Sequence, residues 1–108
     1  MNENVDRKFP EVSNKATNSN DNVIFVGSKP LVNYIRGVIT QFTKRDASEV
    51  VIKSRGKFIS KAVDVAEVAR RSLESGVKIK AVKIGSESFE SEGKRTNVSI
   101  MDITLIKN

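Results

Sequence analysis

The chain has 108 residues, 38% of them hydrophobic, which suits one modest domain with a single core. It contains no cysteine and no histidine, which excludes disulfides, zinc–thiolate sites and the commonest general base. We therefore expect a protein that is not an enzyme and has no metal and no cofactor. The net charge of +6 predicts a polyanionic partner, with nucleic acid the commonest class and an anionic membrane the main rival.

Residues 1–21 are polar and show no apolar period, which predicts a disordered tail. They contain three basic and four acidic residues, so the positive charge belongs to residues 22–108, the predicted domain. No apolar run approaches the ~20 residues of a membrane-spanning helix, and no signal peptide is recognised. A cytoplasmic protein that is not attached to a membrane is therefore expected.

The first half of the domain alternates short apolar runs with a helical pattern. Residues 23–26 are a continuous apolar run of about strand length. Pro30 then opens a helix, whose apolar residues recur at helical spacing between Leu31 and Phe42. Residues 50–52 predict a second buried strand, and residues 55–57 a turn.

The second helix is predicted to start at Ser60 as its N-cap and to stop at Gly76. Its expected apolar face is formed by Ile59, Ala62, Val63, Ala66, Ala69 and Leu73. A third strand is predicted to place Val77, Ile79 and Ala81 on one side and Lys78 and Lys80 on the other. The fourth strand covers roughly residues 97–106.

The order β-α-β-α-β-β predicts an α/β fold of the two-layer sandwich type. Two helical crossovers imply parallel strands with right-handed connections, followed by an antiparallel hairpin. The single apolar stripe on each helix predicts that both helices cover one face of a four-stranded mixed sheet.

The last two strands are predicted to be longer than the first two, which span about five residues. The surplus cannot pair within the sheet, so it should project as a β-hairpin arm with its tip near residues 91–94. A long loop over residues 86–97 is the alternative.

Two loops between a strand and the following helix are candidate phosphate-binding sites. The first contains Ser28 and Lys29, and the second contains Arg55 and Lys57. If the first two strands are parallel neighbours, both loops and both helix N-termini lie at one edge of the sheet, where they suit phosphate. The alternative is a pair of ordinary connections with solvated cations. Neither loop matches a nucleotide-hydrolysing phosphate loop.

The arm is the third candidate, with Lys94 and Arg95 near its tip. A thin basic β-ribbon can enter a groove of DNA. Three carboxylates, Glu87, Glu90 and Glu92, lie in the same segment and would oppose phosphate, so a solvated hairpin is the alternative.

Three separated segments in this order resemble one family. Residues 22–30 followed by Asn33 and Tyr34 are similar to the opening of Alba proteins, an archaeal chromatin family with eukaryotic relatives. Residues 51–64 look like the most distinctive segment of that family, and residues 84–99 are similar to its hairpin. The resemblance covers residues 22–108 and leaves the tail outside.

The resemblance implies a homodimer that coats double-stranded DNA, RNA or both, and that packages DNA in association with the chromosome. Lys29, Arg55 and Lys57 match positions that contact the backbone, whereas Lys94 and Arg95 fall in the arm that follows the minor groove. Alba proteins usually carry two lysines before the proline. Because Ser28 replaces the first, one phosphate contact is missing. Assembly of dimers along the duplex stays open.

Two other functions remain as hypotheses at this point. An RNA-binding protein, or a ribonucleoprotein subunit, would use the same basic edge, since charge alone does not distinguish A-form from B-form helices. A scaffold would instead dock an acidic protein on that surface. Copurification of material absorbing at 260 nm distinguishes a nucleic-acid binder from the scaffold, because the chain has one tyrosine and no tryptophan.

Overall fold

The computed structural model describes residues 22–74 and 76–108, and the predicted tail, residues 1–21, lies outside them. The element order is β-α-β-α-β-β, as the sequence predicts. The elements are β1 Val23–Phe25, α1 Leu31–Thr43, β2 Glu49–Arg55, a 3₁₀ turn Gly56–Phe58, α2 Ile59–Ser72, β3 Val77–Ser91 and β4 Lys94–Lys107. β1 is thus shorter, and β2 longer, than the five residues expected.

The four strands form one mixed sheet in the order β1-β2-β4-β3. β1 pairs with β2 in parallel, while β4 lies between β2 and β3 and is antiparallel to both. The two crossovers therefore give parallel directions, as expected, but only β1 and β2 are adjacent parallel strands. Since β4 runs against β2, its first half lies at the edge where β2 ends.

Both helices contribute to a single core on one face of the sheet. The fully buried side chains include Val38 of α1, Val65 of α2, Val50 and Ile52 of β2, and Leu105 of β4. Burial of a side chain of this size stabilises the fold by about 1.5–3 kcal/mol. The predicted two-layer arrangement is confirmed.

The sequence interpretation of α2 was wrong in three details. The helix ends at Ser72 with Leu73 as its C-cap residue, and so stops before Gly76. α2 begins at Ile59 and follows the 3₁₀ turn, so Phe58 is the N-cap residue and Ser60 lies inside the first turn. Val63, expected on the apolar face, is 41% exposed, whereas Val65 is buried. A helical period of 3.6 residues turns Val63 away from the stripe that contains Ala62, Ala66 and Ala69.

The predicted alternation of β3 fails at a β-bulge between Ile79 and Ala81. Ile79 lies opposite Leu105 and Val82 lies opposite Ile103, so both point to the helix side of the sheet. Ala81 therefore faces the other side. An extra residue in one strand shifts the alternation by one position, and simple period-two patterns do not include this shift.

The long hairpin of β3 and β4 forms the predicted arm. Pairing between β2 and β4 ends at Arg55 and Ile100, and β3 and β4 continue for six further pairs, from Ser86 and Ser99 to Ser91 and Lys94. At ~3.4 Å per residue the arm extends about 20 Å beyond the body. Its turn, Glu92 and Gly93, has positive φ at both residues, as in a type I′ hairpin. The loop alternative over residues 86–97 is thereby excluded.

Candidate nucleic-acid interface

The loop after β1 is the first part of the candidate site. The chain leaves the sheet at Val26, whose amide donates to the Lys53 carbonyl oxygen at 2.9 Å. Ser28 and Lys29 are exposed on the loop. α1 then starts without a side-chain cap, so its first amides face the loop region with the positive end of the helix dipole.

The loop after β2 lies at the same edge because β1 and β2 are parallel neighbours. Gly56 has φ +57, and a Cβ built on it would lie 3.2 Å from Val98 of β4. Glycine is therefore favoured both by the left-handed conformation and by close approach to the base of the arm. Lys57 is exposed, with its Nζ 5.5 Å from the centre of the Phe58 ring.

The side chain of Arg55 is directed differently from that of Lys57. Arg55 ends β2 on the sheet face opposite the helices, and its guanidinium lies 4.0 Å from the Glu87 carboxylate of β3. Both side chains are largely buried, at 18% and 22% exposure. Arg55 thus connects the body to the base of the arm.

Lys61 is a residue at this edge that the sequence interpretation missed. Glu67 on the same helix pairs with Arg70 at 2.8 Å and Arg71 at 3.6 Å, so it is engaged away from Lys61. Lys61 Nζ donates to the Gly27 carbonyl oxygen at 2.7 Å, and so reaches the first loop. Only the fold brings these residues together, since 34 positions separate them.

The arm leaves the body from the edge that carries both loops, because β4 enters the sheet opposite Arg55. Lys94 and Arg95 are exposed near its tip, in the sixth and fifth pairs beyond the body. Arg95 lies directly across the hairpin from Glu90. The predicted site residues therefore form two groups, one at the loops and one at the tip.

The two groups differ in charge. Residues 26–30 and 55–61, which we call the loop edge, contain Lys29, Arg55, Lys57 and Lys61 and no carboxylate. The arm, residues 86–99, contains three glutamates and two cations. The loop edge is therefore the strongly basic surface, and it is also where both helix N-termini point.

The chain is similar to known proteins over most of its length. A sequence model described as Alba matches residues 22–86. This chain belongs to the Alba family. An Alba relative from Picrophilus torridus is 45% identical over 87 residues, which cover 81% of this chain and 97% of that protein. One from Methanococcus maripaludis is 46% identical over 88 residues, covering 81% and 99%. Both are named DNA/RNA-binding protein Alba.

Solved Alba structures have the same fold. Alba from Thermoplasma volcanium superposes with a TM-score of 0.73 at 44% identity, covering 80% of this chain and all of that one. ALBA1 from Trypanosoma brucei gives a TM-score of 0.63 at 19% identity, over 81% of this chain and 69% of that one, and supports the fold alone. The family resemblance noted in the sequence is confirmed.

The names of the two sequence relatives describe binding and no reaction, in agreement with the expectation that this chain is not an enzyme. Within residues 22–74 and 76–108, neither helix has the length and apolar character needed to cross a membrane.

Proposed function

We propose that this chain binds double-stranded nucleic acid with little sequence preference, holding the phosphate backbone at its loop edge. The observation that carries the proposal is the convergence of two loops, two helix N-termini and four cations at one edge. The two chain segments that form this edge contain no carboxylate, and Glu87 of β3 lies 4.0 Å from one of the cations, Arg55. Such an edge suits phosphate through both amide groups and full charges. The names of the relatives, DNA/RNA-binding protein, support the same class of ligand.

The mechanism is neutralisation of phosphates with release of counterions. Each neutralised phosphate contributes about −0.9 to the slope of log K against log salt for B-form DNA. Lys29 and Lys57 are exposed and free to approach phosphates directly. Arg55 would join them by moving its guanidinium from Glu87 to a phosphate, and the exposed Ser28 would add a short polar contact.

The arm would extend the contact along the minor groove. Its length of about 20 Å exceeds one half-turn of a duplex, so Lys94 and Arg95 would reach the groove beyond the phosphates that the body holds. Since the arm has mixed charge, its contribution is mainly one of shape and orientation.

A homodimer is the second element of the proposal. Ile79, Val82 and Ile84 of β3 lie on the helix side of the sheet and are 42%, 52% and 78% exposed. Three adjacent apolar side chains on an edge strand are typical of a surface that another subunit covers. A second copy on this strip would give two loop edges and two arms per particle.

The dimer is tested by sedimentation at several protein concentrations. Ile84→Lys places a charge in the strip and should convert the dimer to a monomer, while the fold is kept because the side chain is exposed. Val32→Lys is the matched control, since Val32 is 47% exposed on α1 and outside the strip. Equal masses for both variants would contradict the proposed surface.

Packaging of the chromosome in the cytoplasm is the cellular role that we propose, with RNA as the second candidate ligand. The relatives' names include both nucleic acids. Titration of a DNA duplex and an RNA duplex of equal length at several salt concentrations separates the two roles. A clear preference for RNA would favour a role on structured RNA, and equal or stronger binding to DNA would favour packaging.

The same titration tests the loop edge. Lys29→Ala combined with Lys57→Ala should weaken binding about tenfold or more and reduce the salt slope by about 1.8. The matched control is Lys44→Ala with Lys78→Ala, two exposed lysines at the opposite edge, after α1 and at the start of β3. The proposal fails if both double variants lose the same affinity and slope.

A further inference from the structure

We infer that Lys61 is a positioning residue, which holds the loop after β1 in the conformation that presents it to phosphate. The inference rests on the proposed function and extends it to a side chain that need not touch the nucleic acid. Lys61 belongs to α2, whereas the loop belongs to the β1–α1 connection, so one side chain joins the two halves of the loop edge.

The contacts of Lys61 are directed inward. Its Nζ donates to the carbonyl oxygens of both Gly27 and Lys29. The same Nζ lies 5.3 Å from the centre of the Tyr34 ring and 5.9 Å from that of Phe58. Aromatic faces attract an ammonium group at these distances, and its three donors suit two carbonyl groups that converge.

These contacts determine which loop groups face outward. A trans peptide is planar, so its N–H points opposite to its C=O. With the Gly27 carbonyl turned toward Lys61, the N–H of Ser28 in the same peptide points away from it. The next amide, that of Lys29, donates to Tyr34 Oη at 3.1 Å.

The polar groups of the loop therefore face in two directions. The carbonyl oxygens, which repel phosphate, are covered by Lys61, and the Ser28 amide and the Lys29 side chain are left to the ligand. Without Lys61, the carbonyl oxygens of Gly27 and Lys29 lose their cationic donor, and the loop loses these two hydrogen bonds to α2. The loop would then have to be ordered during binding, which lowers affinity.

A double-mutant cycle distinguishes positioning from direct phosphate contact. Lys61→Met keeps an unbranched apolar stem and removes the ammonium group. It should weaken DNA-duplex binding about tenfold in the original chain but at most about threefold in the Lys29→Ala background. The losses should not be additive, because Lys61 acts by positioning Lys29, whose side chain is absent in that background. Lys44→Met, the charge control about 20 Å away along α1, should give the same small loss in both backgrounds.

Additive losses for Lys61 and Lys29 would overturn the inference and indicate that Lys61 contacts phosphate independently. An unchanged affinity in Lys61→Met would overturn it as well. Thermal unfolding of each variant ensures that the titrations are made on folded protein.

A second measurement needs no nucleic acid and so separates this inference from the proposed function. Amide hydrogen exchange of the free protein should show faster exchange at Lys29 in Lys61→Met, with β2 and β4 unchanged. Lys61→Arg, which retains the charge, should give intermediate exchange, since a planar guanidinium does not place its donors as an ammonium group does. Unchanged exchange at Lys29 in Lys61→Met would contradict the positioning role, whether or not the proposed duplex binding is confirmed.

Discussion

The loop edge and the arm leave the sheet at the same place, but they differ in charge and in how firmly they are packed against the body. The loop edge concentrates cations without carboxylates and is anchored by contacts to the core, such as those of Lys61 with Gly27 and Tyr34. The arm is exposed along nearly its whole length and mixes Glu90 with Arg95 in a single cross-strand pair. The difference suggests that affinity resides in the loops, and that the arm sets orientation and reach.

Charge reversal should have the largest effect on duplex binding, and the effect should differ between the loop edge and the arm. We expect Lys29→Glu with Lys57→Glu to weaken duplex binding about a hundredfold, because two contacts are lost and two repulsions are added. Lys94→Glu with Arg95→Glu changes the net charge equally, but should weaken binding only about tenfold, since three glutamates already oppose phosphate in the arm.

Titrations of both charge-reversed variants at matched salt concentrations measure the difference. If the arm pair lost as much affinity as the loop pair, the division between affinity and orientation would have to be abandoned. Circular dichroism of both proteins verifies that the exposed substitutions leave the fold intact.

The next largest effect should be on stability, from a substitution at Gly56, where the loop edge meets the base of the arm. Gly56→Ala forces a side chain into a position with φ +57 that is 3.2 Å from Val98, so it should cost about 1–3 kcal/mol of stability. Gly93→Ala meets the same kind of strain at φ +78 but has open space around it. Its effect should stay within the tip of the arm.

Urea unfolding compares the two glycine variants. We expect a clear drop in the unfolding midpoint for Gly56→Ala and a smaller drop for Gly93→Ala, of about 1–2 kcal/mol or less, because only the left-handed strain remains where no neighbouring side chain is crowded. Similar midpoints would show that the arm base and the second loop can separate without cost to the body.

Much of this architecture could be predicted from the sequence, because it depends on local patterns. The helical period between Leu31 and Phe42, the continuous apolar run of β1 and the surplus length of the last two strands all predict elements that are present. The convergence of both loops also follows, because it requires only that β1 and β2 be parallel neighbours.

Features that depend on long-range packing could not be predicted in this way. The bulge at Lys80 adds one residue without any turn signal, and it decides that Val82 and Ile84 join the exposed apolar strip. The insertion of β4 beside β2 brings the arm to the loop edge. Lys61 looks like an ordinary helix lysine until the fold places it beside Gly27.

The smallest expected effect concerns the contact between Arg55 and Glu87, where the two regions meet. Arg55 faces a carboxylate 4.0 Å away, so a phosphate must compete with Glu87 for its guanidinium. Glu87→Gln removes that competition. It should tighten duplex binding about threefold and make the slope of log K against log salt steeper by up to about 0.9. The control is Glu74→Gln, which neutralises an exposed carboxylate in the turn after α2, away from the loop edge. It should change the affinity and the salt slope by no more than the general effect of one charge. Weaker binding in Glu87→Gln would mean that Glu87 holds Arg55 in place for the ligand, and the carboxylate would then belong to the binding site rather than oppose it.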